Sequence, residues 1–572
     1  MNGALSFDQV RADQQRRCSL KFLTICRGRT DAMKRMLFAA ALLAAIAAGR
    51  LAAQSPDLAA EGKAWWAHIQ YLADDKLQGR NVGTEGFEAA AKYVEGQFEA
   101  IGLKPAGING YRQPVALEGR TLVPEASKLA LVRNGKETPL DVGQDASLAA
   151  RAELNGSMEA PMVFVGYGLS IPEAGWNDFK GVNLKGKIAV YVNAFPPVKV
   201  SDNVKSHVNT ADQRWLALKK AGAIGVATIA APRSGGPGAT GAAGAGGGRG
   251  GGTPQPSVML ADRRTVDAAG EVVSISLTAS GAAAVLAGTT HTLEELDQLV
   301  TDNKPLPHFA IPGRLKATAQ LKRDPIDSCN IVCLVEGSDP ALKHEYVIMS
   351  AHLDHLGVGR PVNGDALYNG AMDNASGVAS VIETARLLTT SGVKTKRSVI
   401  ILAVTAEEKG ELGSQYFAYR PTVPFKKIVA DFNLDMFLPL YPLKVIEVQG
   451  LAESSLGESV RVAAQTLGVN VQTDREPEQN RFIRSDQYSF IRHGIPALAF
   501  KFGYEFGSPE EKIRRDWVAN VYHKPNDDLN QPVDKDAAAL FDRVMMKLLQ
   551  TVANDAKRPR WSTDSFFKRF AK

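Results

Sequence analysis

From about residue 320 the chain alternates near-continuous apolar runs with helical segments, and this alternation restricts the fold more than any other feature. The runs are Tyr346 to Met349, Val399 to Val404, Ile428 to Leu434, Val445 to Val448 and Ala497 to Phe500. Helical spacing predicts Ala375 to Leu388, Gly413 to Tyr419, Gly457 to Leu467 and Ser485 to Arg492 between them, with Lys535 to Val552 closing the unit. Strands apolar on both faces and linked by helices form a mostly parallel mixed sheet covered on both sides, an α/β architecture. Sites in such sheets form at the carboxyl ends of the strands. The full chain of 572 residues exceeds what one core supports, so a second domain is expected.

The earlier part of the chain has a different character. Ala60 to Leu72 and Phe87 to Ile101 are predicted helices, interrupted at Gly79 to Thr84. Between about 140 and 285, Met162 to Val165, Lys187 to Val192, Gly225 to Ile229 and Val272 to Leu277 are short strands, and Trp215 to Ala221 is a brief helix. A small β-rich inserted domain is expected at 140–285, with the main domain in two parts, 54–139 and 286–555, and a tail at 556–572. Inside the insert, Gly235 to Gly252 is mostly glycine and alanine; without bulky apolar side chains it cannot recover its ordering entropy by burial, and a surface loop is expected. Its glycines lack the GKS or GKT ending of a phosphate cradle.

The formal charge of +6 is confined to the first 53 residues, where nine Lys or Arg face three Asp, leaving 58 basic against 58 acidic residues beyond. The bulk of the chain therefore has no net attraction for nucleic acid. Met33-Lys34-Arg35-Met36 and the apolar run Leu37 to Ala48 resemble a secretory signal, with small residues at Leu51-Ala52-Ala53 for cleavage before Gln54 and Met33 the expected start. Export to the periplasm or the exterior is the expectation, with no stable membrane anchor; the competing reading is an alanine-rich helix of a cytosolic protein. Cys329 and Cys333 lie four residues apart in a strand-like segment, about 13 Å along it, whereas a disulfide needs its Cα atoms within about 7 Å. Two buried thiols are expected.

Polar residues cluster where the apolar runs stop. The first ends in His352-Leu353-Asp354, the second in Glu407-Glu408 and the third in Asp435, and Asp373 stands just before a helix. Bringing these groups to one rim is costly unless they are neutralised together, which a divalent metal cluster does. Taken alone, Asp373 is equally readable as a helix N-cap.

The segments Ser350-Ala351-His352-Leu353-Asp354, Gly370 to Gly377, Thr405-Ala406-Glu407-Glu408, Asn433-Leu434-Asp435-Met436 and Val521-Tyr522-His523 resemble the metal-site motifs of the secreted di-zinc aminopeptidases and their glutamate carboxypeptidase relatives. Leu77-Gln78-Gly79-Arg80 resembles the opening motif, and Gly166-Tyr167-Gly168, Asn177-Asp178-Phe179 and Gly186-Lys187-Ile188 resemble a protease-associated insert. The resemblance implies the zinc exopeptidase fold, two zinc ions and peptide substrates. It makes Asp373 the bridging ligand, with His352 and Asp435 completing one ion's site and Glu408 and His523 the other. Glu407 would be the general base, Tyr522 an oxyanion donor, and Asp354 a second carboxylate holding the free ring nitrogen of His352. His355 is taken as a rim residue. His68, His207, His291, His308 and His344 are taken as solvated or helix-facing, and His493 as ending a helix. Gln487 stands where the family usually has histidine, so contacts in that part of the cleft are expected to differ.

The function implied is removal of N-terminal amino acids. The rival hydrolase reading is a glutamate-type carboxypeptidase, which needs an arginine cluster; Arg360, Arg481 and Arg484 are its candidates. A glutaminyl cyclase and a binding ectodomain are more distant alternatives. The tail, Lys557 to Trp561 and Phe566 to Phe570, is read as a frayed end, the alternative being contact with anionic lipid or a partner.

Overall fold

Side chains alternate along the central strands and so sort the core into two layers. Val347, Met349 and Ala351 of strand Tyr346–His352, with Val399, Ile401 and Ala403 of strand Ser398–Val404, face a large cluster built with helices Glu85–Ile101, Ser376–Thr390 and Lys535–Asn554. Ile348, Ile400 and Leu402 point the other way, against Phe417 and Phe490 of helices Leu412–Tyr419 and Gln487–Ile491. Fully burying each of the larger side chains among these contributes roughly 1.5–3 kcal/mol. This computed structural model describes residues 57–150, 157–232, 257–266 and 273–571. The expected signal segment and the glycine-rich stretch fall outside those residues.

The main sheet runs in the order Ser257–Leu260, Arg112–Leu122, Leu321–Val335, Ser398–Val404, Tyr346–His352, Ile428–Asn433, Ala497–Phe502, Val445–Gln449 and Asn470–Thr473. Its four middle strands are parallel, with His352 level with Val404 and Ser350 level with Asn433, so they end at a common rim. The flanks carry antiparallel pairs. Cys329 and Cys333 are buried free thiols in strand Leu321–Val335. Among the described residues no helix is long and apolar enough to cross a membrane.

A second sheet has the order Lys136–Leu140, Lys128–Arg133, His308–Thr318, Ser157–Val165, Ile188–Asn193, Gly225–Ala230, Val273–Leu277 and Ala146–Leu148. Its strands reach from Lys128 to Thr318, beyond both ends of the expected 140–285 insert, while Ser257–Leu260 from inside that span returns to the main sheet. Strand His308–Thr318 is hard to read in sequence because its pairing shifts register between Ile311 and Arg314, which breaks the alternation.

The tail is ordered, which corrects the expectation of a frayed end. Trp561 Nε1 donates to Gly494 O at 2.9 Å, Ser565 Oγ to Glu453 at 2.6 Å, and Phe567 is fully buried beside Phe482. The aromatic rings anchor the segment by burial, and its basic residues pair with carboxylates of the chain: Arg558 with Glu345 and Arg569 with Glu173.

His207 is likewise buried, not solvated: its Nδ1 bonds the Tyr488 hydroxyl and its ring packs on Phe566 and Phe570. Burial, helped by Arg569 and Arg492 and opposed by Glu173, pushes its pKa down to about 4. An unfolded histidine titrates near 6.5, so below that pH the unfolded chain takes up the proton first. Stability from this group is complete above about pH 6.5 and is lost as pH falls toward 4. Melting curves from pH 7 to pH 5 should therefore show a falling Tm, and His207→Gln should flatten the fall.

Candidate metal centre

Each expected ligand sits at or beside the end of a strand or helix. His352 is the last residue of its strand; Glu407 and Glu408 follow strand Ser398–Val404 after Ala406, which has positive φ; Asp435 follows strand Ile428–Asn433. Asp373 lies in the turn Ala371–Ala375 that opens helix Ser376–Thr390, and its bond to Asn374 is cis. His523, also at positive φ, follows helix Pro509–Asn520.

These five residues converge. Nε2 of His352 is 3.2 Å from Asp373 Oδ1 and 3.4 Å from Asp435 Oδ1. Nε2 of His523 is 3.2 Å from Asp373 Oδ2 and 3.2 Å from Glu408 Oε2. The Asp373 carboxylate thus turns one oxygen to each imidazole, between a His352–Asp435 set and a His523–Glu408 set. His352, Asp373 and Asp435 form one group able to hold an ion, and His355, Asp373 and Glu408 form another. Imidazole nitrogen and carboxylate oxygen are the donors that zinc accepts, so the residues fit such an ion.

The electrostatics are those of a crowded cluster of carboxylates and imidazoles. His352 and His523 lie against Asp373, which is held well below the usual carboxylate range although burial opposes this. Glu408 is lowered too, with His523 overcoming its burial, and Asp435 is lowered by Lys501 and His352 against its burial. Glu407 goes the other way: burial, with Glu408, Asp435 and Asp486 repelling, raises it well above the usual range. A crowded carboxylate group with this spread takes up positive charge readily.

Asp354 does something other than the sequence suggested. His352 Nδ1 is held by the backbone carbonyl of Asp354 at 3.0 Å, while the buried Asp354 carboxylate accepts the amides of Glu407 at 3.0 Å and Glu408 at 3.3 Å. It therefore pins the turn that presents base and ligand. Asp354→Asn would set an amide NH₂ against one of those donors. Metal retention after dialysis, and activity, should fall roughly 10–100-fold, as when other outer partners of metal ligands are lost.

Several contributors were given no role by the sequence reading. The buried Asp527 accepts the amides of Met372 at 2.8 Å and Asp373 at 2.9 Å, and burial pushes its pKa up to about 6. The buried Lys501 donates to the Asp435 carbonyl. Arg80, from the opening motif, lies fully inside and donates to the carbonyls of Leu353 at 2.9 Å, Asn369 at 2.7 Å and Gly370 at 3.0 Å, tying together two ligand-bearing loops. Gly79 beside it has φ of +67°, and a Cβ there would stand 2.1 Å from Tyr368 O, so only glycine fits.

Tyr522 stacks on His523 with ring centroids 3.9 Å apart, and its phenol is raised by burial and by the surrounding carboxylates. Gln487, the departure from the family pattern, is buried; its Oε1 accepts from Asn433 Nδ2 at 2.8 Å and its Nε2 donates to Phe482 O at 3.0 Å. It braces the strand preceding Asp435. His68 is buried against Glu383, and His355 is fully buried rather than on the rim.

Residues 330–549 match the sequence model of Peptidase family M28. Over 148 residues the chain is 31% identical to "Carboxypeptidase Q" of Xenopus laevis, covering 25% of this chain and 29% of that protein. Over 112 residues it is 31% identical to a "Probable zinc metalloprotease" of Pyrenophora tritici-repentis, covering 20% of this chain and 25% of that protein. The matched stretches thus span under a third of these relatives' own lengths. Among solved structures, an aminopeptidase from Aneurinibacillus sp. strain AM-1 aligns over 85% of this chain and 93% of its own, with TM-score 0.48 and 20% identity.

Proposed function

We propose, from the match of residues 330–549 to the model of Peptidase family M28, that the chain is an exported zinc exopeptidase removing N-terminal residues from peptides. The carrying observation is the Asp373 carboxylate, which faces His352 with one oxygen and His523 with the other at 3.2 Å each. His352, Asp435 and Asp373 would hold one zinc, and Glu408, His523 and Asp373 a second. Two such ions, when bound, polarise the scissile carbonyl and lower the pKa of the attacking water.

Glu407 is the residue left to move protons. It is half-buried, is not needed as a ligand, and burial gives its carboxyl a raised proton affinity suited to taking a proton and returning it to the leaving amine. The Tyr522 phenol, stacked on His523, stays protonated and is available to donate to developing negative charge.

A carboxypeptidase reading is favoured by the relative named Carboxypeptidase Q. Against it, the candidate Arg481 is engaged by Glu476 at 2.9 Å, and the candidate Arg484 is exposed. Arg360 is exposed. Amino-acid amides set beside N-blocked dipeptides decide the matter: hydrolysis restricted to free amines is expected, and cleavage of blocked peptides ending in glutamate would reverse it.

A further inference from the structure

We propose that His355 is an additional ligand, through Nδ1, of the ion assigned above to Asp373, Glu408 and His523; the inference rests on the metal-centre reading and adds a residue to it. His355 is fully buried, and its Nδ1 lies 2.8 Å from Glu408 Oε1 and 4.0 Å from Asp373 Oδ2. Yet among the described residues neither ring nitrogen of His355, nor Glu408 Oε1, has an aligned hydrogen-bond partner. A nitrogen and an oxygen in contact but not aimed at each other, both shut off from water, are placed to share a third atom. A buried polar pair left so is costly, and a cation meets the need of both.

The distances of His355, and of His523, to the carboxylates they share each suit an ion held there. Ligand atoms stand about 2.0–2.2 Å from zinc, so two on the same ion are at most about 4.4 Å apart. The His355 contacts at 2.8 and 4.0 Å and the His523 contacts at 3.2 Å all fall inside that limit. Glu408 turns Oε1 to His355 and Oε2 to His523, the disposition of a carboxylate that spans one edge of a coordination shell. The two imidazole rings are 6.0 Å apart, inclined at 64°.

The ring is also locked in place. Gly370 has φ of +65°, and a Cβ on it would lie 2.5 Å from His355 Cγ, so the backbone passes directly over the imidazole. A ring held this tightly, with no aligned hydrogen-bond partner for its nitrogens among the described residues, is preorganised for a ligand. The two sites are then unequal, because the His355 side gains a protein donor. The His355-side ion should be the tighter of the two.

The test uses cobalt(II) titrated into the full metal-free protein. In the wild type, hyperfine-shifted proton NMR should show an exchangeable imidazole N–H for each of His352, His355 and His523, and the tighter cobalt step should weaken at least about 10-fold in His355→Gln. The variant should also lack one of those resonances. Retained resonances with weakened binding would make His355 only a support for Glu408, and wild-type affinity in His355→Gln would remove it from the site; either overturns the inference. Should the variant not fold, the wild-type count decides alone, since resonances from His352 and His523 only would overturn it. A wild type that binds no divalent ion at all would instead defeat the zinc peptidase reading.

Discussion

Glu407→Gln should lower kcat by about 10²–10⁴-fold, the span removed with a general acid–base residue, while metal content stays at the wild-type level. The expectation follows from the contrast between two adjacent glutamates. Glu408 is drawn into contact with His523 and His355, whereas Glu407 makes no such contact and burial raises its proton affinity. The glutamine is nearly isosteric, and the backbone amide of residue 407 still reaches the Asp354 carboxylate, so the turn should survive. Stopped assays on amino-acid p-nitroanilides, with zinc analysis of the same sample, check both halves. Wild-type turnover with zinc bound would mean that another group carries the proton.

The second large effect belongs to Asp373. Asp373→Ala removes the carboxylate that faces both imidazoles, so both ions should be lost and activity with them. Stability supplies an independent reading. A ligand that binds only the folded state stabilises it by about 4.1 kcal/mol at 1,000 times its Kd. Adding zinc to chelator-treated wild-type protein should raise Tm by several degrees, and the same addition to Asp373→Ala should leave Tm unchanged. An equal rise in both would show that zinc binds elsewhere.

The sheet that carries the site was legible because its strands are apolar on both faces and stop at charged residues. Val399 to Val404 runs straight into Glu407-Glu408, and the structure ends strand Ser398–Val404 there. Asp373 was legible only through the company it keeps, since an N-cap aspartate looks the same in sequence. His355 was missed because burial of a loop histidine is set by what packs over it, here Gly370, fifteen positions away. Asp527 and Lys501 were missed for a related reason: they act on backbone amides and carbonyls of other segments, which leave no pattern in their own neighbourhood. The tail carried a signal that was passed over. Trp561, Phe566, Phe567 and Phe570 are too aromatic for a frayed end, and Phe567 is in fact fully buried.

Anomalous diffraction at the zinc edge from crystals of the zinc-loaded protein tests the whole account most directly. Two peaks flanking the Asp373 carboxylate are predicted, one beside His352 and Asp435 and the other beside Glu408 and His523. A fully active crystal preparation with no peak at that carboxylate would contradict it.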